Sequence, residues 1–169
     1  MSSSNRRQAI LAAAGAVVTL SGCFRPMLAE TSSGSGMRGK VALPSIDGRF
    51  GYYLNEALET RLGRPGNTAF RLEIAADLTE QGLAIAQDNT VTRVRLVAVA
   101  NWALYRDGQA EPVLEQRTIT QSGYDATASL FATRQTRLDI ERRLARDIGE
   151  RIARHILARS DRLDAIGTS

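Results

Sequence analysis

Three kinds of side chain in this sequence could do chemistry: one cysteine, one histidine and an abundance of arginine. Cys23 is the sole cysteine, so no intrachain disulfide can form, and with His155 the sole histidine a conventional zinc site lacks ligands. No serine or cysteine nucleophile stands in a recognisable pattern with a base, and no glycine-rich phosphate loop is present. His155 lies beside Ile152 and Ile156 on a helical stretch, where a lone histidine reads as structural. The carboxylates are interleaved with arginines at helical spacing, as solvated ion pairs are. The expectation is a protein that is not an enzyme and takes no cofactor, no metal and no nucleic acid.

The basic residues are different. They number 22 against 18 acidic ones, a net charge of +4, and every one but Lys40 is arginine. The planar guanidinium binds phosphate or carboxylate in a bidentate way, although arginine serves equally well on an ordinary solvated surface. A hydrophobic content of 43% with 24% charged residues fits a globular domain and argues against both wholesale disorder and a multi-span membrane protein.

The position of Cys23 gives its thiol a purpose. Asn5-Arg6-Arg7 is a short positive segment, and Ala9 to Leu20 is an uncharged apolar run too short to span a bilayer, which takes about 20 residues. It ends in Leu20-Ser21-Gly22-Cys23, which resembles the bacterial lipobox. There the thiol receives a diacylglycerol, the chain is cut before the cysteine, and the new amino terminus is acylated. Residues 1–22 then read as a cleaved lipoprotein signal peptide. Two or more acyl chains anchor a protein stably where one does not. Phe24, standing where Asp would favour inner-membrane retention, points to the outer membrane. An ordinary secretory signal with a chance cysteine is the alternative.

The elements that must position any site follow. Residues 23–39 form a lipidated cysteine and a tether, since Thr31 to Gly39 is rich in Ser and Gly. Residues 40–159 read as a single domain. Lys40 to Ile46 is a short strand confined to an edge by Pro44. Asp47 caps a helix from Gly48 to Leu62, whose stripe is Phe50, Leu54, Ala57, Leu58 and Leu62. Strands follow at Phe70–Leu78, Thr90–Arg106 and Val113–Ser122. Gln87-Asp88-Asn89 forms the first turn, and Asp107-Gly108, a type I′ pair, the second. The faces of the third strand are not distinguished by hydropathy. A helix then runs from Ser129 to about Arg159 on the ladder Ile140, Leu144, Ile148, Ile152 and Ile156, and residues 160–169 read as a frayed tail. This order implies an α+β fold with two helices packed on one face of a mainly antiparallel sheet.

On that sheet Trp102 belongs to the core. Arg71, Arg93, Arg95 and Arg117 share the opposite face if the registers allow, and Val97 and Val99 continue it as apolar, which a solvated face does not require.

Gly22-Cys23-Phe24-Arg25-Pro26-Met27, the helix–sheet order, and Tyr124-Asp125-Ala126 with Ser129-Leu130-Phe131-Ala132 resemble the lipopolysaccharide (LPS) assembly lipoproteins of the LptE family, in their alphaproteobacterial form. The usual glycine after the cysteine is absent, and Leu28-Ala29 replace a customary aromatic. The resemblance implies two helices on a four-stranded sheet, and an outer-membrane lipoprotein on the periplasmic side. It implies as partners the barrel LptD, which such proteins plug and help assemble, and LPS itself. Arg93 and Arg95 are the residues charge and strand position offer for LPS. A general envelope adaptor that never touches LPS is the competing reading.

Overall fold

The computed structural model describes residues 35–85, 91–126 and 129–165. The signal segment, Cys23, most of the tether and the expected turn at 87–89 lie outside the described residues. A short 3-10 turn, Ser35–Met37, leads into β1 (Val41–Ala42), α1 (Gly48–Leu62), β2 (Phe70–Ile85), β3 (Val91–Arg106), β4 (Pro112–Asp125), α2 (Leu130–Leu157) and α3 (Ser160–Ala165). The sheet order is β1-β2-β3-β4. β1 pairs parallel with the first residues of β2, and the other two pairings are antiparallel. The two long helices cover one face, so the fold is the expected α+β arrangement.

The register follows from side-chain alternation. Val94, Leu96, Ala98, Ala100, Trp102 and Leu104 on β3, with Phe70 and Leu72 on β2, are buried beneath the helices. They meet Leu54, Leu58 and Leu62 of α1 and Ile140, Leu144, Ile148, Ile152 and Ile156 of α2 in one core. The helices touch where α2 presents Gly149: a Cβ there would stand 2.8 Å from the Leu54 carbonyl oxygen and 2.9 Å from Ala57 Cβ. Outside this crossing they are bridged by Arg146–Glu56 (2.9 Å) and Arg61–Glu150 (3.4 Å).

Several boundaries depart from the sequence reading. The strand expected over 40–46 shrinks to two residues, because Pro44 has no N–H to donate and its carbonyl is taken instead by the Asn55 side chain (3.0 Å). Asp47 occupies the cap position of α1 but its side chain makes no capping bond. β2 and β4 run past Leu78 and Ser122 to Ile85 and Asp125, since pairing with β3 continues beyond the clear apolar alternation. The Asp107-Gly108 connection is wider than a two-residue hairpin: Gln109 N–H closes a turn on the Arg106 carbonyl (3.0 Å), Gly108 takes φ +75°, and β4 begins only at Pro112. Residues 160–165 are not frayed. They form α3, whose Leu163 is buried and whose Leu163 carbonyl accepts a bond from Arg106 Nη2 (2.7 Å).

Gly149→Ala should therefore force the helices apart and lower stability by about 1–3 kcal/mol. Urea unfolding should register this as a lower midpoint at unchanged slope. An unchanged midpoint would mean that the crossing yields freely.

Candidate functional site: the outer sheet face and its far end

The registers place Arg71, Arg93, Arg95 and Arg117 together on the face away from the helices, as expected. They do not form one patch. Arg71 stands opposite Tyr105 and Arg93 opposite Asp125, twelve positions along β3, or about 40 Å apart at strand rise. Arg71 is engaged locally, paired with Glu73 and lying 4.7 Å over the Tyr105 ring. Arg117 pairs across from Asn101 and walls a shallow groove floored by Ala75 and Ala103, with Glu73 and Glu115 on its rim. Val97 and Val99 lie between, and Ile119 opposite Val99 is half-exposed, so the middle of the outer face is apolar.

Arg93 and Arg95 sit at the far end. Arg93 Nε donates to Asp125 Oδ1 at 2.8 Å. That bond and its charge lower the Asp125 pKa and hold the guanidinium protonated. Arg95 faces Gly123, which has no side chain, so a groove opens there between Arg95, Gln121 and Leu83. Arg95 has no carboxylate within ion-pair distance among the described residues, which leaves it freer than Arg93 to meet an anion. Leu130 and Phe131, which start α2 just past the end of β4, are 85% and 74% exposed, and Leu83 is 44% exposed. Guanidinium groups and exposed apolar side chains therefore share one end of the sheet.

Behind that end is a network the sequence did not disclose. Glu80 accepts from Arg137 Nε (2.7 Å) and from the Tyr124 hydroxyl (3.3 Å), and Arg137 also reaches the nearly buried Glu141 (3.5 Å). Burial and then the Glu80 charge raise the Tyr124 phenol above its ordinary pKa. Tyr124 was visible only as part of a motif, and Glu80 and Arg137 are 57 positions apart, a spacing that gives no local signal.

The opposite edge carries a second basic feature. β4 turns Thr118 and Thr120 inward, where Trp102 Nε1 donates to Thr118 Oγ1 (3.1 Å) and Thr120 Oγ1 to Asp147 Oδ2 (2.7 Å). His155 packs edge-on to Trp102 at 5.8 Å, and burial followed by the Arg159 charge lowers its pKa. It is a packing residue, as read. Among the described residues no three metal-ligating side chains converge, and no helix is long and apolar enough to cross a membrane.

The profile of the lipopolysaccharide-assembly family LptE matches residues 39–156. The chain belongs to the LptE family. It is thus a member of a family of envelope lipoproteins of LPS assembly, and that family is not one of enzymes. No curated protein matches the sequence. A structure described as a lipoprotein of Caulobacter crescentus CB15 is similar at TM-score 0.60 and 23% identity, over 75% of this chain and 93% of that one. Rare lipoprotein B of Shewanella oneidensis is similar at TM-score 0.57 and 12% identity, over 74% and 97%. A minor lipoprotein of Acinetobacter baumannii gives 0.55 and 18%, over 70% and 88%. At these identities the structures show a shared fold, and the LptE profile shows the family.

The Thr120–Asp147 bond makes a pH prediction. Burial raises the Asp147 pKa, but bonds from Arg151 and Thr120 and the charges of Arg151 and Arg154 outweigh it, so the net shift is downward. A carboxyl lowered in the folded state contributes stability above its unfolded pKa, and loses it as pH falls through the folded value. Thr120→Val should raise the Asp147 pKa in carboxyl NMR titration and cost about 1 kcal/mol near neutrality, a loss that vanishes at the acid end.

Proposed function

We propose that the protein is an outer-membrane lipoprotein, anchored through acylated Cys23 on the periplasmic side. In this reading it plugs and helps assemble an LptD β-barrel and takes part in carrying LPS to the cell surface. The observation that carries the reading beyond family membership is the far end of the sheet. LPS is an amphiphile with phosphorylated sugars and acyl chains, and its binding site needs cations beside apolar surface. Arg95 and Arg93 supply the first; Leu83, Leu130 and Phe131 supply the second. The apolar strip of Val97, Val99 and Ile119 on the outer face suits contact with a barrel wall better than contact with water.

The barrel reading is tested by isolation from native membranes in mild detergent. A large outer-membrane barrel should accompany the protein at one-to-one stoichiometry. A plug's enclosed surface should exceed the roughly 1,600 Å² of a standard interface. The pair should therefore survive removal of the lipid once assembled. Cys23→Ala should abolish both acylation and cleavage before position 23, read by mass spectrometry. A protein that never binds a barrel, in cells whose LPS export is normal without it, rules the proposal out.

Arg95→Glu is the cleaner test of the LPS contact, because Arg93→Glu would also strand Asp125. Loss of a charge-assisted bond costs about 1.5–3 kcal/mol, so LPS binding should weaken roughly ten- to a hundredfold in a folded variant. Unchanged binding would return Arg95 to the solvated surface.

A further inference from the structure

Among the described residues β4 is the last strand of the sheet and pairs only with β3, so one row of its backbone N–H and C=O groups has no described strand beside it. Edges of this kind are usually blunted by lysines, prolines or bulges. Here Pro112 stands at the very start, there is no lysine, and the ladder runs without a register shift from Leu114 to Asp125. The middle of the strand, Thr118-Ile119-Thr120, is strongly β-forming. Alongside it lies an open groove between β4 and the last turns of α2, lined by Arg151, Arg154, His155 and Arg159 beneath Thr118 and Ile119.

The charges in that groove are unbalanced. Arg151 is paired with Asp147 (3.0 Å), but Arg154 and Arg159 reach only the backbone carbonyls of Glu150 and His155 (each 3.4 Å). Neither has a carboxylate within ion-pair distance among the described residues. The other open edge, β2 beyond its short pairing with β1, carries Glu73, Asp77 and Glu80, of which Glu73 and Glu80 are paired with Arg71 and Arg137. Beside β4 the basic charge comes from α2, so that edge offers an unpaired backbone row next to guanidinium groups that no carboxylate of the described residues meets at ion-pair distance.

We propose that an extended, acidic segment of a partner protein adds to β4 as a fifth strand, its backbone pairing with residues 114–122 and its carboxylates meeting Arg154 and Arg159. A lipid phosphate would answer the arginines and leave the backbone row unpaired; a peptide strand answers both. The proposal goes beyond the LPS reading and does not depend on it, because Arg93 and Arg95 lie on a different face.

The test uses the full chain, purified in mild detergent, and a short peptide alternating glutamate and valine. Hydrogen exchange should slow at amides within 114–122 on peptide addition. Arg154→Gln with Arg159→Gln should weaken peptide binding about tenfold while LPS binding is unchanged. The same peptide with alternate backbone amides N-methylated should lose binding, since it keeps its charges but cannot pair. Equal binding of the methylated peptide overturns the proposal, as does slowed exchange confined to other strands. So does protection, in the protein alone, of those 114–122 amides that do not bond to β3, which would mean that another segment of this chain or a second copy already fills the edge. Binding of phosphatidylglycerol vesicles through these two arginines, with no displacement by the peptide, also overturns it.

Discussion

β3 is paired along both edges from Arg93 to Tyr105, so its two-residue period decides which way every neighbouring side chain points. Leu96, Ala98, Ala100, Trp102 and Leu104 face the helices, and Arg93, Arg95, Val97, Val99 and Asn101 face away. A slip of one residue would exchange the two sets, driving guanidinium groups under the helices and the indole into water. An unpaired buried charge costs several kcal/mol, while the aligned register buries the whole apolar row. The helices lock this phase, because Ile148, Ile152 and Ile156 of α2 fit only against the apolar row. The outer face is therefore a consequence of the core. Arginines and valines share it because the strand has no other side on which to put them.

This dependence explains what could be read in the chain. The long strand and both helices were legible because their apolar residues recur at 2 and at 3.6 with few interruptions. The shared face of the four arginines followed from the same alternation. β4 resisted because the inward residues in its middle are polar: Thr118 accepts from Trp102 of β3, and Thr120 donates to Asp147 of α2. Hydropathy reports contact with an apolar layer, and here the strand meets the helix through polar groups. The same reason hid the last residues of β2 and β4, where Glu80 and Tyr124 meet Arg137 of α2 through polar groups. The state of each arginine was not legible either. Arg93 is occupied by Asp125, 32 positions away, and Arg137 by Glu80, and only folding brings such partners together.

The two ends of the sheet are built differently, and the difference has a use. At one end the entering chain, the start of β2 and α3 are tied together. Arg106 lies 5.2 Å over the Phe70 ring and donates to the Leu163 carbonyl, and Gly39 N–H is bonded to the last carbonyl of α1 (2.8 Å). Leu163 and Met37 are both buried there. At the other end Glu80, Tyr124 and Arg137 join β2, β4 and α2 through a polar network beneath a surface of exposed apolar side chains and arginines. The first end is sealed by apolar burial, whereas the second is held by charge and left open above.

The distance between those ends bears on how an anchored protein would act. Strands of sixteen residues make the sheet about 50 Å long, more than the roughly 30 Å thickness of a bilayer's hydrocarbon core. The described chain enters at the sealed end, and Arg95 and Phe131 stand at the other. Groups with the chemistry to meet an amphiphile are then held away from the point at which the described chain enters. Holding them apart suits a domain that receives an amphiphile arriving from elsewhere.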